Sequence, residues 1–129
     1  MTAPDWVTTT YGIVDAEDME NLLPLFTPGA ELRFGNNPAA IGHDAIRGML
    51  GEFWSSIGGL RHEFVNVVGD GPTSIEAICH YTTRAGTPVP LPVVTQIDRD
   101  GAGLITSMRV YIDSAPLFAQ IASEADASS

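Results

Sequence analysis

Residues 60–113, LRHEFVNVVGDGPTSIEAICHYTTRAGTPVPLPVVTQIDRDGAGLITSMRVYID, decide the fold. Runs rich in β-branched and aromatic residues alternate with GDGP, AGTP and DGAG, which are turn signals of hairpin length. The spacing predicts an antiparallel meander of four strands. Pro88, Pro90 and Pro92 lie inside the third run. Proline cannot donate to a ladder, so these positions point to an edge strand or to the irregular entrance of a strand.

Upstream the hydrophobic period changes. In GHDAIRGMLGEFWSSIGG, Ile46, Met49, Leu50, Phe53, Trp54 and Ile57 recur at helical spacing, and Gly58 and Gly59 stop the helix. TPGAELRFGNNP predicts a turn, a short strand around 30–34 and a polar loop. Pro4 and Asp5 suit the first turn of an N-terminal helix, with Trp6, Thr9, Thr10, Ile13 and Ala16 at helical intervals. A short second helix carries Met19, Leu22, Leu23 and Phe26, and Pro24 disturbs its last turn. APLFAQIASEADASS predicts one or two helical turns before a disordered tail. Helices followed by strands describe an α+β domain, a curved sheet with helices on one face. The core spans about 6–113 of a single 1–129 unit.

The chain has 129 residues, 44% of them hydrophobic and 17% charged, enough to bury a core without disulfides or metal. Its formal charge of −10, with six basic residues, argues against nucleic acid and anionic membranes as partners. No signal peptide or membrane span is read, and a cytoplasmic location is expected. The single cysteine, Cys79, sits in IEAICHY and reads as a buried small hydrophobe. No two of the three histidines have ligand spacing, so no metal is expected, and the glycines are those of hairpins rather than a phosphate loop.

LLPLFTPGAELRF, GHDAIRGML, HEFVNVVGDG and DGAGLITSMRVYID, in that order, resemble the nuclear transport factor 2-like superfamily. They are most similar to its SnoaL-like and ketosteroid-isomerase-like branches, over roughly 6–113. The resemblance implies a cone-shaped barrel: a strongly curved, mostly antiparallel sheet wrapped around a long helix, with an apolar pocket in its mouth. It implies no cofactor, and commonly a homodimer through the open sheet face, where Arg109, Tyr111 and Asp113 are candidates. Fold alone does not choose among the activities this superfamily hosts.

Two known chemistries of the superfamily lack their residues here. The ketosteroid isomerase positions are taken by Thr10, Phe34 and Thr95. The carboxylate relay of limonene epoxide hydrolase would need acids near Val110 and within HYTT. A third pattern is matched. Scytalone dehydratase and hexachlorocyclohexane dehydrochlorinase resemble this chain in an aspartate ending helix one and a histidine opening the strand after the long helix. Asp15 and His62 stand there, and the resemblance implies that the histidine removes a proton while the aspartate holds it. Arg109 roughly matches an arginine of the dehydrochlorinase, with its direction left open.

The residue chemistry agrees. Histidine titrates near neutrality, and a carboxylate partner orients its ring and stabilises the imidazolium. Tyr11, four residues before Asp15, shares its helix face. Strict alternation puts Phe64 and Asn66 beside His62. It also puts His80 and Thr82 on one face of the next strand, with Thr95 after them. Phe34, Phe53, Trp54, Met108, Val110 and Ile112 are candidates for an apolar wall. Substrate contacts are expected from Tyr11, Phe34, Trp54, Asn66, His80, Thr95, Met108, Val110 and Ile112.

Plainer readings stand beside these. Asp15 also suits a helix stop or cap, His62 a surface histidine at a strand end, and His80 a satisfied barrel histidine. His43 reads as an exposed turn residue, Asn36 and Asn37 as turn formers, Tyr11 and Trp6 as packing. The sequence thus supports a cofactor-independent lyase or isomerase acting on a small apolar oxygenated metabolite (a dehydratase, isomerase or cyclase). The alternative is a non-catalytic ligand-binding or dimerisation module on the same fold.

Overall fold

Pro4, with φ −56°, leads into helix α1 (Asp5–Asp15), whose inner face buries Val7, Thr10 and Tyr11. The chain then turns sharply through Glu17, a non-glycine residue at φ 53°. Asp18 accepts the Asn21 backbone N–H at 3.3 Å and so caps the short helix α2 (Met19–Leu22). Pro24 does disturb the end of that helix, which tightens into a 3-10 turn over Leu23–Leu25. The computed structural model, which describes residues 3–127, continues with β1 (Phe26–Phe34), β2 (Ala40–Ile41) and α3 (His43–Ser55). Then come β3 (Gly59–Val68), β4 (Thr73–Thr82), β5 (Pro88–Arg99), β6 (Ile105–Ile112) and α4 (Ala115–Ala127).

The six strands form one curved sheet in the order β2-β1-β6-β5-β4-β3. The expected meander is present as β3 to β6, and β1 joins its end parallel to β6. Strand β1 starts at Phe26, earlier than the sequence suggested, and Phe26 is itself buried. In β4 and β5 the odd-numbered residues point inward: Ile75, Ala77, Cys79 and Tyr81 meet Leu91, Val93 and Ile97 beneath α1 and α3.

The three prolines are not in an edge strand, since β5 lies between β4 and β6. Only the half from Val93 onward pairs with β6, however, and Pro88, Pro90 and Pro92 occupy the half that pairs with β4 alone. N–H groups alternate in direction along a strand, so Val89 and Leu91 serve β4. The prolines face the side where no ladder exists.

A second departure shapes the site. The β3–β4 register runs Phe64↔Ala77 and then Asn66↔Glu76, leaving Val65 as an extra residue. Such a bulge reverses the facing of everything beyond it. Val67 packs on the core, whereas Asn66 is exposed.

The C-terminal segment is a 13-residue helix rather than one or two turns. Leu117 on α4 is fully buried, worth about 2 kcal/mol on general transfer grounds. The Glu124 carboxylate accepts from Thr83 Oγ1 at 3.0 Å, Thr87 Oγ1 at 2.7 Å and Gln120 Nε2 at 3.0 Å. Of the expected disordered tail, residues 128–129 lie outside the described residues. His43 is half-buried rather than exposed, with Nε2 at 3.0 Å from the Phe26 carbonyl, which ties the start of α3 to β1.

Candidate active site

Asp15 is the last residue of α1, and its carboxylate reaches across to β3. Oδ2 accepts the backbone N–H of His62 at 2.9 Å, and Oδ1 lies 2.7 Å from the ring Nδ1. Against an ionised carboxylate, which only accepts, Nδ1 is the donor, and in the neutral imidazole the lone pair then sits on Nε2. The His62 side chain is 9% exposed and that of Asp15 is 23% exposed, so the pair is sheltered without being sealed. Tyr11 lies one turn before Asp15 and meets the His62 ring edge-on at 4.6 Å, and Phe64 at 5.4 Å. Together these contacts leave the imidazole little freedom to turn.

His62 borders an inner cavity of about 60 Å³ that is partly open. Its polar groups are His62, Tyr11, Thr95 and Tyr81; the rest of the wall, including Phe34, Trp54, Met108 and Val110, is apolar. A larger cleft of about 290 Å³ opens outward between α3 and α4, lined by Met49, Glu52, Ser56 and Phe118 among others. Phe34, Leu50 and Phe53 border both spaces. Phe53 lies 5.0 Å from Phe34 and 6.1 Å from Phe118, a continuous aromatic rim.

Burial sets the protonation of the phenols and the thiol. The Tyr11 hydroxyl is pushed up to about 12, mainly by burial, with a hydrogen bond to Thr95 partly offsetting it. Burial also raises Tyr81, whose hydroxyl is bonded to Cys79, and pushes the Cys79 thiol up to about 12. All three are therefore neutral at ordinary pH, and the two phenols stand as protonated hydroxyls beside the cavity.

Of the residues expected to contact substrate, Tyr11, Phe34, Trp54, Thr95, Met108 and Val110 surround the inner cavity with His62. Ile112 sits instead at the rim, with Phe34, Asn37 and Phe118. Asn66 is turned outward by the bulge at Val65. His80 faces the outer side, opposite Pro90, with Nε2 at 2.8 Å from Glu63 Oε1. Its inward neighbours Cys79 and Tyr81 take the places on the cavity side. Arg109 also points outward, to Asp98 Oδ2 at 3.1 Å. Tyr81 is the polar cavity residue that sequence reasoning missed, beside apolar ones such as Leu32, Leu60 and Val93; the odd-position run Ile75, Ala77, Cys79, Tyr81 was the available signal for it. Among the described residues, no group of three or more His, Cys, Asp or Glu is placed to hold a metal ion, and no helix is long and apolar enough to cross a membrane.

The SnoaL-like domain matches residues 7–108, a span holding both Asp15 and His62. No curated protein matches the chain in sequence. Among solved structures, an NTF2-like protein of unknown function from Burkholderia pseudomallei is 15% identical, with TM-score 0.80 over 89% of this chain and 93% of that one. TerC, co-crystallised with polyporic acid, is 20% identical with TM-score 0.76 over 89% and 94%. A putative polyketide cyclase from Xanthomonas campestris pv. campestris is 19% identical with TM-score 0.74 over 89% and 93%. At these identities the likeness is one of fold.

Proposed function

The chain belongs to the SnoaL-like domain family, and from that premise we propose that it is a cofactor-independent enzyme that moves a proton on a small apolar oxygenated metabolite. The observation that carries this reading is the double hold of Asp15 on His62, at backbone and ring, which leaves Nε2 as the free base. Nε2 takes a proton from a carbon next to a carbonyl, and Asp15 compensates the imidazolium that forms. The Tyr11 and Tyr81 hydroxyls donate to the oxygen on which charge develops. The imidazolium then returns the proton. Delivery to a leaving hydroxyl completes a dehydration, and delivery to another carbon completes an isomerisation. In a ring closure the carbanion bonds to a carbonyl carbon of the same molecule, the C=O pair moves onto its oxygen, and that alkoxide takes the proton. Polyketide cyclase, the name carried by one structural neighbour, fits the last of these.

The test needs no natural substrate. In D2O at neutral pD, the protein should exchange the methyl protons of 2-acetylnaphthalene about 100-fold faster than buffer, followed by NMR. His62→Ala should return the rate to that of buffer, and undiminished exchange in that variant would remove the mechanism.

The small inner cavity favours a second reading, a non-catalytic binding or dimerisation module. That reading expects ligand binding without exchange. We further propose a cytoplasmic homodimer through the outer sheet face, where Tyr111 is 48% exposed and Val65 is 47% exposed. Light scattering gives its mass directly.

A further inference from the structure

We infer that this site admits uncharged molecules and turns anions away. The inference rests on the reading of the inner cavity and outer cleft as the binding site.

The reason lies in where the positive charge is. All six basic residues are arginines, and each is placed elsewhere. On the outer sheet face, Arg33 bonds the Tyr111 hydroxyl at 3.2 Å and Arg109 bonds Asp98 at 3.1 Å, while Arg61 is exposed on β3. Arg47 pairs with Glu20 at 2.8 Å, and Arg84 donates to the Ser55 carbonyl at 3.0 Å. The Arg99 guanidinium lies 3.8 Å above the Trp6 ring. None of them borders the inner cavity, the cleft or the rim.

What does border these spaces is neutral or acidic. Glu52 is the charged residue of the cleft, and Asp113 that of the rim. Inside, His62 is the one group able to become positive, and it is bonded to Asp15. With an ionised carboxylate beside it, even an imidazolium leaves the pair with no net positive charge. A carboxylate entering would lose its hydration, find no counter-charge and pass two acids on the way. A ketone, ester, quinone or phenol loses little and meets hydroxyl donors at Tyr11, Tyr81 and Thr95. The substrate class is thus a neutral oxygenated ring system, its carbonyl toward His62 and its apolar body in the cleft. A free acid would need to be masked first, as an ester or amide.

Two probes of nearly equal shape test this: 2-acetylnaphthalene, which is neutral, and 2-naphthoate, which is anionic. Calorimetric titration of the unaltered protein at pH 7.5 should show the ketone binding, and the carboxylate weaker by about 30-fold or more. Met49→Lys puts a cation on the half-buried wall of the cleft and should narrow that gap about tenfold. Equal or tighter binding of naphthoate by the unaltered protein overturns the inference, as does a Met49→Lys protein in which the ratio stays fixed. Deuterium exchange into the bound ketone reports the dyad separately. Binding without exchange removes the acid–base reading and leaves charge selection standing. Exchange together with a preference for the anion does the reverse.

Discussion

The sheet carries two histidine–carboxylate pairs, one on each face, and their bond lengths are nearly the same. His62 meets Asp15 at 2.7 Å on the inner side, and His80 meets Glu63 at 2.8 Å on the outer side. Their surroundings differ. The inner histidine is 9% exposed and the outer one 34%; Asp15 is 23% exposed and Glu63 59%. Asp15 is anchored at a helix end and grips a backbone N–H as well as the ring, whereas Glu63 reaches diagonally along the open sheet to a single nitrogen. Distance alone does not tell the two pairs apart. A cavity, a second anchor and dry neighbours favour the inner pair for the proposed proton transfer, whereas an exposed pair of equal length is largely screened by water.

Replacing each histidine in turn should give the widest contrast. His62→Ala is expected to lose all ketone exchange, a fall of about 100-fold, and His80→Ala to keep it. Loss in both, or in neither, would erase the distinction between the faces.

Alkaline unfolding sharpens the contrast next, because the inner pair has Tyr11 packed on it. Tyr11 ionises near 10 when unfolded and at about 12 when folded. Its contribution is therefore complete below pH 10 and lost as pH rises from 10 through 12. At about 1.36 kcal/mol per pH unit the loss amounts to about 3 kcal/mol. Denaturant titrations across that range should show a shallower decline in Tyr11→Phe.

The carboxylates come last. Asp15→Asn leaves the His62 bonds mismatched and should cost about 1–3 kcal/mol in a denaturant midpoint. Glu63→Gln should leave the midpoint where it was, although His80 holds the Glu63 carboxyl below its usual range.

Much of this architecture was readable. The turns GDGP, AGTP and DGAG marked the meander, because glycine and proline are needed wherever the chain reverses tightly. Asp15 and His62 were readable as a pair through the resemblance to scytalone dehydratase and the dehydrochlorinase, which carry an aspartate and a histidine at the same helix end and strand start. What escaped the sequence was decided by tertiary context. The bulge at Val65 has no local marker, so alternation carried Asn66 to the wrong face. In β4, Ile78 and His80 blurred the alternation that would have drawn attention to Tyr81. Helix α4 forms from an ordinary Ala- and Ser-containing stretch because Leu117 is buried and the Glu124 carboxylate is held by Thr83 and Thr87. His43 reads as a turn residue until the Phe26 carbonyl comes within reach.

The prolines of β5 have a consequence for how this protein behaves in a crowd. Where β6 ends, β5 has a flank with no partner strand, the kind of row on which another chain can be templated. Along that flank Pro88, Pro90 and Pro92 offer carbonyls and no N–H groups, so an incoming strand finds half its partners missing. A gap in the ladder that looks like a weakness of the fold is thus a poor template for another chain.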